Sequence, residues 1–187
     1  MIKLVVGLGN PGRQYEKNRH NAGFLFLDHL SGVSSWNSEA KFHGIIANYH
    51  AGAGKVILLK PQTFMNKSGL SVGAIARYYK IDAEEILVVH DELDLSSGVA
   101  RLKMGGGHAG HNGLRDIIES LGKKDFYRLR VGIGRPKSGK KVADFVLSDL
   151  SRLEMEEMLA AFGLADAYFD KVIGGEVALA MNGLNKK

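Results

Sequence analysis

The chain has 187 residues, no cysteine, and hydrophobic and charged fractions of 45% and 24%. That is the profile of one globular domain, or barely two small ones, with enough core to fold without staples. The absent cysteine excludes a disulfide framework, a thiolate nucleophile and any cysteine-containing zinc site, and no apolar run reaches the roughly 18 residues of a membrane span. The net charge of +5 is unevenly placed: residues 101–141 hold eleven Lys and Arg against Asp116, Glu119 and Asp125, while the rest carries fourteen basic and seventeen acidic residues. One basic segment on a mildly acidic body is expected of a protein that meets a polyanion on one side.

The opening stretch MIKLVVGLGNPG has one lysine and no cleavage pattern after a long apolar core. It is therefore no signal peptide, and the chain reads as cytoplasmic. Residues 2–8 are a dense apolar run ended by glycines, a buried strand. Residues 21–30 set Ala22, Phe24, Leu25, Leu27 and Leu30 largely on one side, the mark of a helix. Residues 42–49 and 55–60 pair as strands through the turn Ala51-Gly52-Ala53-Gly54. A helix follows over 66–79, spaced through Leu70, Ile75, Tyr78 and Tyr79, with Asn66 as its N-cap. Strands are expected over 86–90 (ILVVH), 99–104 and 127–133, and a helix over 111–121 through Leu114, Ile117, Ile118 and Leu121. Ser151 and Glu154 form a capping box for a long C-terminal helix whose face includes Met155, Met158, Leu159, Phe162, Phe169, Val172 and Ile173. Residues 135–141 (RPKSGKK) are the one candidate mobile loop. Strands alternating with helices, plus one hairpin, predict a single α/β domain over 1–187: a twisted mixed sheet with helices on both faces.

Three motifs invite misreading. GLGNPG at residues 7–12 matches a dinucleotide-binding turn, but Asn10-Pro11 opposes a helix there. Asp28, the acid at the required distance, falls inside a helical pattern. The better reading is a strand-end turn presenting the Asn10 amide, which both donates and accepts. GLSVG at residues 69–73 matches a nucleophile elbow, with Ser71, Asp91 and His111 in the chain order of a serine hydrolase, but Ser71 sits within helical periodicity. HDELD at residues 90–94 offers three acids to Mg²⁺ or to solvent; its informative member is Asp91, one residue past the predicted strand end, where open α/β sheets bind ligands.

RHNAG at residues 19–23 places His20 just before an apolar helix. GGGHAGHNGL at residues 105–114 feeds a helix whose first turn offers backbone N–H groups to an anion, with Lys103 and Arg101 behind it. His20 with Asp91 makes a general base, the carboxylate fixing the ring tautomer. With no cysteine and no convincing serine, that base would activate water. Asn10, Asn66 and Asn112 would orient the water and the polarised carbonyl, a set suited to a reactive ester.

GLGNPG, Tyr15, RHNAG, TFMN-K-SG (63–69), HDELDL, GGGHAGHNGL and RLRVGIGRP (128–136) closely resemble bacterial-type peptidyl-tRNA hydrolase. The resemblance runs in order from residue 2 to about 147; the C-terminal helix matches in character alone. Asn18 stands where the family usually has Thr. The resemblance implies a monomeric α/β esterase that cleaves the bond between a peptide and the 3′-terminal ribose of tRNA, with no metal or other cofactor. It implies His20 as catalytic base, Asp91 as its partner, and Asn10, Met65, Asn66 and Asn112 as substrate-site residues. It further implies His111 and Tyr15 as walls of the cleft and Lys103 and Arg130 as tRNA-phosphate contacts. A non-enzymatic RNA-binding module, as in a plant organelle relative that serves in intron splicing, is the rival.

Overall fold

The structure, a computed structural model, describes residues 1–52 and 54–186. Seven strands form one sheet: β1 (Leu4–Gly7), β2 (Asn37–Glu39), β3 (Gly44–Ala51), β4 (Gly54–Pro61), β5 (Ile86–Glu92), β6 (Ala100–Met104) and β7 (Tyr127–Gly132). Their spatial order is β2-β3-β4-β1-β5-β7-β6. The central four, β4, β1, β5 and β7, run parallel; β3 pairs antiparallel with β2 and β4, and β6 with β7. A parallel centre is covered on both faces, which is why β1 and β5 read as unbroken apolar runs.

The helices are α1 (Ala22–His29), α2 (Ser68–Tyr79), α3 (Asn112–Leu121), α4 (Val142–Val146), α5 (Arg152–Ile173) and α6 (Val177–Leu184). Alternate strand residues sort into two cores. Val5, Leu87, Val89 and Leu129 pack with Phe26 of α1 and Phe162 and Phe169 of α5. Leu4, Val6, Ile86 and Val88 pack with Val72 and Ile75 of α2 and with Leu114 and Ile117 of α3. The predicted mixed sheet with helices on both faces and a long C-terminal helix is what forms, and the Ser151–Glu154 capping box is present.

Several local expectations give way. β5 continues through Asp91 to Glu92, because β7 keeps pairing with it as far as Gly132, so Asp91 lies inside the strand and not beyond it. Phe42 sits in a short 3-10 turn, and β3 begins only at Gly44. Asn66 caps nothing: a 3-10 turn over Met65–Lys67 precedes α2, and Asn66 is exposed. The buried face of α2 is made of Ser68, Gly69, Ser71, Val72, Gly73, Ile75 and Ala76, while Leu70, Tyr78 and Tyr79 face solvent. Small residues win because α3 lies close: a Cβ on Gly69 would strike the backbone of Asp116. On α5, Leu159 points outward. The predicted hairpin pairs as expected up to Ala51 and Gly54, but its turn includes Ala53, which lies outside the described residues.

Short β2, α4 and α6 have no counterpart in the sequence reading. α6 docks on edge strand β6: Asn185 accepts from the Leu102 N–H at 3.0 Å and donates to the Leu102 carbonyl at 2.8 Å. Arg101 donates to the Leu184 carbonyl at 2.6 Å. It therefore ties down α6, in place of the expected support of the glycine tract.

Candidate active site

The C-terminal ends of β1, β4 and β5 lie side by side, and each delivers one part of the site. β1 opens into the turn that carries Asn10. β4 leads to Met65, and β5 carries Asp91 within its last paired stretch, one residue before its end at Glu92. The first glycine of the Asn10 turn serves packing: a Cβ on Gly7 or Gly23 would drive into the other segment's backbone, so α1 can start directly over β1 only with both bare.

His20 lies in a short 3-10 turn ahead of α1 and is buried. Its Nδ1 meets both carboxylate oxygens of Asp91, at 3.0 and 2.9 Å. Asp91 is also approached by His111, whose Nε2 lies 2.8 Å from Oδ1. Burial acts to lower the His20 pKa, but the charge and hydrogen bond of Asp91 outweigh it, and the ring titrates above its usual value. Burial likewise opposes ionisation of Asp91, yet His20 and His111 hold it well below the usual carboxylate range. A carboxylate that accepts at Nδ1 leaves the His20 lone pair on Nε2, which has no protein partner among the described residues and faces a cavity of about 510 Å³.

His111 is the N-cap of α3, its Nδ1 accepting from the N–H groups of Gly113 and Leu114 at 3.2 and 3.3 Å. The helix donors proposed for an anion are thus already taken by a side chain, and that expectation is corrected. His20, Asp91 and His111 are the one cluster of metal-ligand types among the described residues, with ligand atoms within 4.8 Å. The donor set is closed on itself, however. With Nδ1 of His111 accepting, its proton sits on Nε2 and points at Asp91, so no lone pair from that ring faces the centre.

Asn10 is buried, and its side-chain oxygen accepts from the Met65 N–H at 2.7 Å. Its amide N–H₂ therefore remains as a donor, narrower than the two-way role expected. Met65 is buried beside His111, both lying where a Cβ on Gly113 would go. Asn112 opens α3 beside His111 on the cavity wall, exposed, and Asn66 is exposed at the end of the β4 segment. Tyr15 is half-buried in the turn after Gly12 and is not among the residues lining the cavity at His20. Lys103 is exposed on the cavity wall. Arg130 also lines it, but is bonded to Glu92 at 2.7 Å. Asp94 pairs with Arg135, so the acids of HDELD face separate partners and form no magnesium cradle. Ser71 is fully buried and donates to the Phe42 carbonyl at 2.6 Å; it is no nucleophile.

Four residues of the site's frame escaped the sequence reading. Asn21 bonds both ways to the Asn10 backbone. Arg19 forks onto Glu154 at 2.9 and 2.7 Å and reaches Ser148 and Asp149, fixing the corner between α4 and α5. Arg128, buried under the glycine tract, donates to the carbonyls of Gly106 and Gly107, each at 2.6 Å. His90 donates from Nδ1 to the Asp91 carbonyl at 2.8 Å, and its Nε2 is buried without a partner among the described residues. The signal for Asn21 and Arg19 was their place beside His20. Arg128 and His90 could have been suspected as polar residues inside apolar strands.

A sequence model of the family Peptidyl-tRNA hydrolase matches residues 4–187. The chain is 49% identical to a peptidyl-tRNA hydrolase of Pseudomonas putida over 189 residues, covering 100% of this chain and 97% of that protein. It is 50% identical to one of Methylobacillus flagellatus over 188 residues, with the same coverage. Among solved structures it is similar to peptidyl-tRNA hydrolase from Acinetobacter baumannii, at 45% identity and a TM-score of 0.93, covering 98% of this chain and 94% of that one.

Proposed function

Because the chain belongs to the peptidyl-tRNA hydrolase family, we propose that it hydrolyses the ester between a peptide, or an N-blocked amino acid, and the 3′-terminal ribose of tRNA. The observation that carries the reading is the buried His20–Asp91 pair with the far nitrogen of the ring facing an open cavity.

In this reading His20 Nε2 takes a proton from water as the oxygen attacks the ester carbonyl. The tetrahedral intermediate collapses with cleavage of the acyl–oxygen bond, and the imidazolium returns the proton to the departing ribose oxygen, giving a free peptide acid and a tRNA hydroxyl. Asp91 fixes the Nδ1–H tautomer and stabilises the transient cation. Asn10, Asn66 and Asn112 present side-chain amides to the substrate and Met65 packs beside them, with Tyr15 an outer contact beyond the cavity at His20. Lys103 and Arg130 hold tRNA phosphate. No described helix is long and apolar enough to cross a membrane, and we place the protein in the cytoplasm as a monomer, one α/β domain carrying the whole activity and using no metal.

The deciding experiment measures release of the blocked amino acid from N-acetyl-aminoacyl-tRNA, with free aminoacyl-tRNA as control. Turnover of the blocked substrate alone is expected. Tight binding of the same tRNA with no release would overturn the reading in favour of an RNA-binding module.

A further inference from the structure

Asp91 serves two histidines, although a general base needs a carboxylate with one. The contact from His111 Nε2, 2.8 Å, is as short as either contact from His20. His111 is also the better fixed of the two rings. Its Nδ1 is tied to the first turn of α3, and His90 packs edge-on against it with ring centres 5.2 Å apart at 74°. Met65 closes the side toward Gly113. A ring held this way donates to Asp91 whatever the state of His20.

We infer that His111 is a positioning residue that sets the proton affinity of His20 by competing for the Asp91 carboxylate. This rests on the reading of His20 as the general base. A donor on a carboxylate disperses its charge and weakens its hold on a neighbouring cation. The surroundings leave the matter to this trio. From β5 and the turn after it, Glu92 and Asp94 are paired with Arg130 of β7 and Arg135. Arg128 of β7 is bound to glycine carbonyls, and Arg19, beside His20, is turned to Glu154. His108, from the glycine tract, bonds the Gly110 N–H, and Lys103 of β6 stands on the outer wall. α4 contributes Val142, Ala143 and Val146, which carry no charge. A buried Asp–His pair alone would fix the tautomer but keep the ring protonated to higher pH. The second donor lets Asp91 orient the ring while tempering the rise, so more of the base is free near neutral pH.

The test uses His111→Asn and His111→Phe. Asn is among the best N-caps, so the first keeps the start of α3 while being too short to reach Asp91; the second keeps a ring in the space but donates nothing. The readouts are the His20 ring titration by NMR of the histidine-labelled protein, and the acid limb of kcat/KM against pH. Both variants should move the His20 midpoint upward by roughly half a unit to one unit, and the acid limb should follow. An unchanged or lowered midpoint in His111→Asn, whatever happens to kcat, overturns the inference; so does a rise in His111→Asn that is absent in His111→Phe, which would make ring bulk the cause. Because the NMR titration needs no substrate, failure of the hydrolase reading is seen separately, as wild-type protein that releases nothing.

Discussion

Asn21 grips Asn10 twice, its side-chain oxygen taking the Asn10 N–H at 2.9 Å and its amide giving to the Asn10 carbonyl at 3.0 Å. The residue next to His20 thereby fixes the turn after β1, and Asn10 in turn fixes Met65. If Asn10 meets the substrate as proposed, Asn10→Ala should raise KM strongly, since it removes the free amide donor and frees the Met65 N–H. Asn21→Ala leaves two buried backbone groups unmet, at roughly 1–3 kcal/mol each. It should lower Tm and also raise KM, though it touches no substrate. Steady-state kinetics with thermal unfolding check both; wild-type KM in Asn21→Ala would show that the turn holds without it.

His20→Ala should lose at least ~10²-fold in kcat with folding intact, the usual worth of a general base. Asp91→Asn should lose less and should shift the His20 titration downward, because it removes the charge that lifts the ring against burial. Retention of more than about a tenth of wild-type kcat in His20→Ala, too much for loss of a general base, would remove the residue from the chemistry.

His90 gives a stability prediction with a definite sign. Burial, with His111 and Arg128 nearby, pushes its pKa down to about 3. Below the usual pKa of ~6.5 the unfolded chain binds a proton that the folded chain refuses, so this residue makes the fold less stable as pH falls, by about 1.4 kcal/mol per unit. The window runs from about 6.5 down toward 3. His90→Asn should flatten the slope of unfolding free energy against pH by about one proton relative to wild type. Urea unfolding between about pH 6.5 and 4.5, above the main carboxylate range, would measure it. A slope identical in the two proteins would mean that His90 charges in the fold.

Lys103 has no acid partner among the described ion pairs, while Arg130 is held by Glu92. Each phosphate contact adds roughly 0.7–0.9 to the slope of log affinity against log salt. Lys103→Ala should therefore weaken binding of all elongator tRNAs alike and lower the slope by about one unit. Arg130→Ala should lower it less, since Glu92 already neutralises that guanidinium. Binding titrations across salt compare the two; a larger fall for Arg130→Ala would show that it leaves Glu92 for the phosphate.

The central strands and the start of the long C-terminal helix were legible because each rested on a local signal. Unbroken apolar runs marked β1 and β5, and Ser151 with Glu154 marked the start of α5. His20 and Asp91, 71 positions apart, were joined by elimination and by family likeness; the fold then brought them within hydrogen-bonding distance. What the sequence hid was set by partners distant along the chain. Nothing near residue 66 shows that a 3-10 turn precedes α2, or that α2 buries its small residues where Leu70 looked the better core. The role of His111 was hidden for a similar reason: one ring nitrogen serves α3 and the other serves β5, and no motif records such a division. β5 outran its apolar run because β7, some 40 residues later, kept pairing with it.

The two rims of the sheet have unequal histories. β2 offers three residues to a stranger, which is little. β6 is shielded at Leu102 by the Asn185 amide, which imitates a neighbouring strand. During synthesis that rim is complete in pairing with β7 long before residue 185 exists. A nascent chain stalled between residues 133 and 180 would carry an unguarded edge beside the apolar groove awaiting α6, and is the form most exposed to aggregation. For this fold the hazard lies in interrupted translation, and the guard arrives with the final helix.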